Sequence, residues 1–344
     1  MPYYPSGLKD DPGQKPPARR LVIRRVILGI SVLLIAYGGI RLAVYAFDYN
    51  SSRRDSQNTR ETKQEIEKSI RANQESIPGT ETAIGTNVTD QASGTIPVQQ
   101  PSDPELIPTE TPISSDAVQA DAEGSENPGL SDKLPPKEYP NGLCVNETIR
   151  ELRRKTNEDI IGWITMDDLS EPVVLRDNTF FLTHNHLGKK NSNGAIFMDE
   201  ATNLLTRPYT ILLYGHNMKT GAMFGNLRKY EKAAYVAQHR FFRLETLYDD
   251  AQYVIFAVCN ISVTPGTSQY VSLTDLQSMN RTARREALET LMNRSMHGVV
   301  LSVNEEDQLV LLITCVGDDD ERLIVAARRL RDNERADSLF MKNP

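Results

Sequence analysis

From about residue 142 onward, short apolar runs alternate with clusters of Gly, Pro, Asn, Asp and Ser, a pattern of strands separated by turns. Runs rich in Val, Ile, Leu and aromatics predict strands over 163–166, 171–175, 195–198, 210–214, 252–258, 298–303, 308–314 and 323–327. Helical spacing appears in fewer places. Val145, Ile149 and Leu152 share one stripe over 145–155, with Asn146 as a cap, and Leu276, Met279, Ala283, Leu288 and Leu291 do so over 273–295. Short helices are also expected over 223–229 and 233–239. Eight short strands with turn signals predict a mainly β fold closed into a barrel.

The first 141 residues are patterned differently. Residues 26–47 form an apolar stretch long enough to cross a bilayer, with Arg41 as its one charge, near an end from which it can snorkel. Lys9, Lys15, Arg19, Arg20, Arg24 and Arg25 precede the stretch, while Arg53 and Arg54 after it are offset by Asp48 and Asp55. The positive-inside rule therefore puts residues 1–25 in the cytoplasm and everything after residue 47 outside. Val44-Tyr-Ala46 would also serve as a signal-peptide cleavage site, but the apolar stretch exceeds the usual 7–15 residues, so an uncleaved single-pass anchor is expected. Residues 48–141 are polar and read as an extracellular linker: 60–73 as a short exposed helix, and 76–136, dense in Pro, Ser, Thr, Asp and Glu, as a disordered tether. One folded unit remains, 142–344.

Composition narrows the function. A formal charge of −7, without a basic cluster interleaved with aromatics in the C-terminal part, argues against nucleic acid. Three widely spaced cysteines make neither a disulfide framework nor a metal site. Cys259, inside an apolar run, reads as a small core residue, whereas Cys315 ends the run Leu309-Val-Leu-Leu-Ile-Thr-Cys315. Arg322 opens the following strand, and His216 ends Tyr209-Thr-Ile-Leu-Leu-Tyr-Gly-His216-Asn217. Each alone has an ordinary structural reading. Together, a thiol, a proton-transfer partner and a cation at strand ends are what nucleophilic catalysis requires. His184 and His186 flank Asn185 and read as a solvated loop, and Asp318-Asp-Asp-Glu321 lacks the ligand spacing of a calcium loop, so no metal or other cofactor is assigned.

Five blocks, in order, resemble the class B sortases, transpeptidases that attach proteins to the Gram-positive cell wall. They are Asn157-Glu-Asp-Ile-Ile-Gly-Trp-Ile164, Pro172-Val-Val-Leu-Arg-Asp-Asn178-Thr-Phe-Phe-Leu182-Thr-His184, Gly194-Ala-Ile-Phe-Met-Asp199, Leu213-Tyr-Gly-His-Asn-Met-Lys-Thr-Gly-Ala-Met-Phe-Gly225, and Thr314-Cys315 with Arg322-Leu-Ile-Val. The frame before the cysteine, Leu311-Leu-Ile313-Thr-Cys, departs from the family's Thr-Leu-x-Thr-Cys and lacks the Ser often found two places before the nucleophile. The segment between Cys315 and Arg322 is short and acidic where the family usually carries an aromatic residue.

The resemblance implies an eight-stranded sortase barrel with an N-terminal helix and an inserted helix before the last strands. It implies Cys315 as nucleophile on the Thr carbonyl of a C-terminal sorting signal, His216 as acid and then base, and Arg322 as oxyanion or backbone holder. Asn178, Leu182, Tyr270, Val271 and Thr314 are the implied substrate contacts. The implied partners are surface proteins bearing that signal and an amine from a peptidoglycan precursor. A pilin-polymerising relative would use a Lys side chain instead, and a catalytically silent wall-associated scaffold is the reading from another class. A papain-like hydrolase is disfavoured because its Cys precedes its His.

Overall fold

The computed structural model describes residues 18–75, 143–278, 280–298, 301–315, 320–336 and 339. Eight strands close into one barrel in the order β1-β2-β3-β4-β7-β8-β6-β5, with β5 returning to β1. They are β1 Ile160–Met166, β2 Leu169–Val174, β3 Ile196–Met198, β4 Thr210–Tyr214, β5 Phe241–Thr246, β6 Asp250–Ser262, β7 Leu309–Cys315 and β8 Glu321–Arg329. Pairing is antiparallel except for β2 with β3 and β4 with β7. The β4–β7 pairing joins segments ninety-nine residues apart, and the catalytic candidates lie at its end.

Alternation along the strands divides the apolar residues between two cores. Val310, Leu312, Leu323 and Val325 belong to the main core, which Ile149 and Leu152 of α2 (Glu147–Lys155) join. Leu309, Leu311, Ile313, Ile324 and Ala326 face outward into a second core. This one is covered by Leu276 of α4 (Leu273–Gln277) and by Ala287, Leu288 and Leu291 of α5 (Arg281–Asn293). Asn146 caps α2 as expected, its side chain accepting from Thr148 and Ile149 N–H at 3.1 and 3.3 Å.

Four expectations are corrected. The strand expected over 298–303 is not formed at residues 298 and 301–303, Val299 and Val300 lying outside the described residues, and β5 is the eighth strand instead. β4 and β8 already occupy both edges of β7, so the closed barrel has no edge for another strand there. The long helix expected over 273–295 is two helices, because Asn280 accepts from Thr282 and Ala283 N–H and starts α5 afresh. The helix expected over 223–229 is a 3-10 helix at Gly225–Glu231, while that over 233–239 is α3 (Ala233–Gln238).

The fourth correction concerns the linker. α1 is one continuous helix, Ala18–Glu75, carrying the apolar stretch 26–47 and then residues 48–75 without a break. Beyond the apolar stretch, Ser52, Ser56, Thr59, Lys63 and Ile66 recur on one face and are buried against the barrel. Ser56 Oγ donates to Glu171 Oε2 (2.7 Å), and Arg60 donates to the Ser170 carbonyl (2.8 Å). Lys63 pairs with Glu67 (2.6 Å) and Glu245 (2.9 Å) over the Trp163 ring. Thr59 Oγ1 meets His186 Nε2 at 2.9 Å, so His186 is a buried ring under α1 and not part of a solvated loop. Residues 76–136, expected to be a tether, and residues 1–17, expected to be cytoplasmic, lie outside the described residues.

Candidate active site

Strand register places the three candidates in a row. The parallel pairing of β4 with β7 matches Thr210 to Leu309 and Tyr214 to Ile313, and Gly215 N–H donates to the Ile313 carbonyl at 3.2 Å. Continued for two residues, that register sets His216 alongside Cys315, the last residue of β7. On the other side, the antiparallel pairing of β7 with β8 matches Cys315 directly to Arg322. Adjacent strands run about 4.8 Å apart, so the backbones of His216, Cys315 and Arg322 occupy neighbouring places across one barrel rim. β6 carries the row on, with Ile261 opposite Arg322, and Tyr270 bridges to Ser262 next to it.

His216 is held from both sides. Its carbonyl accepts the N–H groups of Met218 and Phe224, each at 3.1 Å, so the loop from Gly215 to Gly225 folds back on the residue it presents. Gly225 is required by that fold, since a Cβ there would stand 2.0 Å from the Met218 carbonyl oxygen. The imidazole lies 2.8 Å from the Leu182 carbonyl through Nε2; a carbonyl can only accept, so Nε2 carries the proton. Gly194 closes the pocket behind the ring. It has φ +63°, and a Cβ would lie 2.5 Å from the Phe181 carbonyl oxygen and 3.0 Å from His216 Cδ2. The Leu182 carbonyl is itself positioned by the 3-10 turn Phe180–Leu182, which Asp177 starts by accepting from Thr179 and Phe180 N–H, both at 2.8 Å.

The implied substrate contacts divide. The side chain of Leu182 is exposed beside His216, and Tyr270 is half-buried at the far end of the row. Val271 and Thr314, at 3% and 2% exposed, are packed inward, Val271 in the second core. Asn178 is engaged by the scaffold, its Oδ1 accepting from Glu200 N–H (3.0 Å) and its Nδ2 donating to Asp199 Oδ2 (3.2 Å). Asp199 Oδ2 also accepts from the Tyr214 hydroxyl at 3.2 Å. Burial pushes the Tyr214 phenol well above its usual range, and the Asp199 carboxylate adds to the shift, whereas the Arg322 guanidinium opposes it. Sequence reasoning missed this Asn178–Asp199–Tyr214 link. The signal was a pair of polar side chains, Asp199 directly after β3 and Tyr214 at the end of β4, each following an apolar run.

Cys259 differs sharply from Cys315 in placement. It is fully buried in mid-strand, and desolvation pushes its thiol up to about 12, which leaves it without nucleophilic character at neutral pH. His184 and His186 do not converge: His184 stacks on Phe180 at 4.1 Å between ring centres and bonds its carbonyl, while His186 meets Thr59. Of the acidic run Asp318-Asp-Asp-Glu321 considered for calcium, residues 318 and 319 lie outside the described residues, and Asp320 and Glu321 are exposed.

The family model of the sortase domain matches residues 165–330. Sortase B of Listeria monocytogenes is 32% identical over 180 residues, covering 51% of this chain and 70% of that protein. Sortase B of Staphylococcus aureus is 25% identical over 187 residues, covering 53% and 74%. Among solved structures, a sortase B-like protein of Bacillus anthracis is 31% identical with a TM-score of 0.48, covering 54% of this chain and 84% of its own. A strand-end cysteine in register with a histidine and an arginine on a closed eight-stranded barrel, together with this degree of identity over most of a sortase B, leads to one conclusion: the chain belongs to the class B sortases, the cysteine transpeptidases.

Proposed function

We propose that this sortase cuts a C-terminal sorting signal after Thr and joins the new carboxyl end to an amine of a cell-wall precursor, from a barrel held outside the cell by residues 26–47. The observation that carries the reading is the His216–Cys315–Arg322 row across β4, β7 and β8. In this mechanism the Cys315 thiolate adds to the Thr carbonyl carbon, and the negative charge moves to the carbonyl oxygen. The Arg322 guanidinium, opposite Cys315 in the ladder, supplies charge-assisted donors to that oxygen or to the adjoining substrate backbone. Collapse breaks the C–N bond, His216 gives a proton to the departing amine, and a thioester remains on Cys315. The acceptor amine then attacks the thioester, His216 takes its proton, and a new amide forms as the thiolate leaves. Leu182, exposed next to His216, offers an apolar contact to the signal beside the cut.

The test is a library of peptides with Thr at the cut position, mixed with wall-precursor amines and followed by mass spectrometry. Cys315→Ala should abolish both cleavage and ligation while a thermal melt stays cooperative, and Cys259→Ala should retain both. Activity in the first variant and loss in the second would refute the assignment of the nucleophile.

A further inference from the structure

The apolar stretch of α1 ends at Phe47, and the next residue already holds the barrel. Asp48 Oδ2 accepts from Ser192 N–H at 3.0 Å, and the Asp48 carbonyl accepts from Asn191 Nδ2 at 3.0 Å. Ser52 Oγ donates to Asn191 Oδ1 (3.3 Å), and Asp55 accepts from Asn185 Nδ2 (2.8 Å) and pairs with Lys189 (3.5 Å). One element of the barrel, the loop over 185–193, thus meets the first two turns of helix beyond the apolar stretch. Gly194, two residues after Ser192, is the residue packed behind the His216 ring. Two residues of chain span at most about 7 Å, so with the contacts at either end the His216 ring lies within about 16 Å of the Asp48 carboxylate. The opposite side of the barrel lies much farther along the helix. Lys63, over Trp163, is sixteen residues beyond Phe47, or about 24 Å at the helical rise.

We propose that α1 is a rigid strut that clamps the catalytic end of the barrel against the outer membrane surface, the exposed Arg53, Arg54, Lys189 and Lys190 forming a collar toward anionic lipid headgroups. The site then works on chain segments within about 16 Å of residue 48, the reach of roughly five extended residues. Two features make the strut stiff. The helix is unbroken from the apolar stretch into the docked segment, without Pro or Gly between residues 40 and 75, and it is bonded to the barrel at four successive levels, by Asp48, Asp55, Thr59 and Lys63. The inference rests on the reading of residues 26–47 as a membrane anchor.

The single tryptophan makes this measurable. The full chain is placed in phosphatidylcholine–phosphatidylglycerol vesicles containing a lipid with a nitroxide on its headgroup. Trp163 of the native chain should be quenched weakly, and the reporter in Trp163→Phe/Ser192→Trp strongly. If Trp163→Phe fails to fold, Ser192→Trp alone, read as the increment over native, gives the same comparison. Eight Gly/Ser residues inserted between Phe47 and Asp48 should abolish the difference. Equal quenching at the two positions in vesicle-bound protein would overturn the proposal, as would strong quenching that survived the insertion, since the helix would then not be what sets the height. Failure to sediment with the vesicles would instead refute the anchor itself.

Discussion

Lys63→Met tests the docking of α1 most directly. Lys63 is 8% exposed, with Nζ 2.6 Å from Glu67 and 2.9 Å from Glu245, and it sits 5.6 Å from the centre of the Trp163 ring. Met keeps the length and the apolar contact with Trp163 but removes the charge, so Glu245, itself 5% exposed, loses its nearest cation. Breaking a buried pair from one side costs about 3–5 kcal/mol. Arg243, 3.8 Å from Glu245 and already paired with Asp250, offsets part of this, which sets the expectation near the lower end, about 3 kcal/mol. For a folded unit of this size that is a fall in Tm of about 6–12 °C. Trp163 lies under the substitution, so its fluorescence on heating the full chain in detergent reads undocking and barrel unfolding together. Adding Glu245→Gln should recover part of the loss, because no unpaired charge then stays buried. A Tm within about 2 °C of wild type for Lys63→Met, or a double variant no more stable than the single one, would show that residues 48–75 are a bystander to the fold.

Three further outcomes follow from particular contacts. Gly194→Ala should lower turnover of a sorting peptide by at least tenfold and also lower Tm, since φ +63° costs a Cβ-bearing residue about 1–2 kcal/mol before the clash with the Phe181 carbonyl; steady-state kinetics and a melt check both. Arg322→Lys should keep the charge but lose the planar fork, reducing turnover about 10²–10³-fold while iodoacetamide still labels Cys315; near-native turnover, with Arg328→Lys or Arg329→Lys inactive, would move the active-site arginine elsewhere. Docking should also carry two opposed pH dependences. Burial depresses His186 to about 4, so its contribution is complete above pH 6.5 and is lost as pH falls toward 4; burial raises Glu171 to about 7, so its contribution is complete below pH 4.5 and is lost as pH rises through 7. Glu171→Gln should therefore unmask a fall in Tm between pH 6.5 and 4 that the native chain partly conceals, and a flat Tm over that window would contradict the burial of His186.

The strands that carry the site were legible because they are fully apolar and end abruptly. Thr210–Tyr214 matches its expected range, and the runs into Cys315 and out of Arg322 need no tertiary knowledge to be read as strands. β5 was also visible in principle, since the apolar Phe242 and Leu244 alternate with the charged Arg243 and Glu245; the run over 298–303 looked as apolar, and only barrel closure decides which of the two finds an edge. Local pattern likewise cannot say that His216 stands beside Cys315. That depends on a parallel pairing of strands ninety-nine residues apart, and on Gly194 letting a third segment close behind the ring. The docked half of α1 shows the same limit from the polar side. Ser52, Ser56, Thr59 and Lys63 repeat at helical spacing, yet hydropathy marks them as solvent-facing, because a stripe of hydroxyls and a lysine reads as polar whether its partner is water or a buried Glu and His. The sequence alone determined the long apolar stretch, the strand-end thiol and the family motifs, all of them local features. The tertiary structure alone decided which polar face is buried, which strands are neighbours and how near residue 48 the histidine stands, because those rest on contacts between segments far apart in the chain.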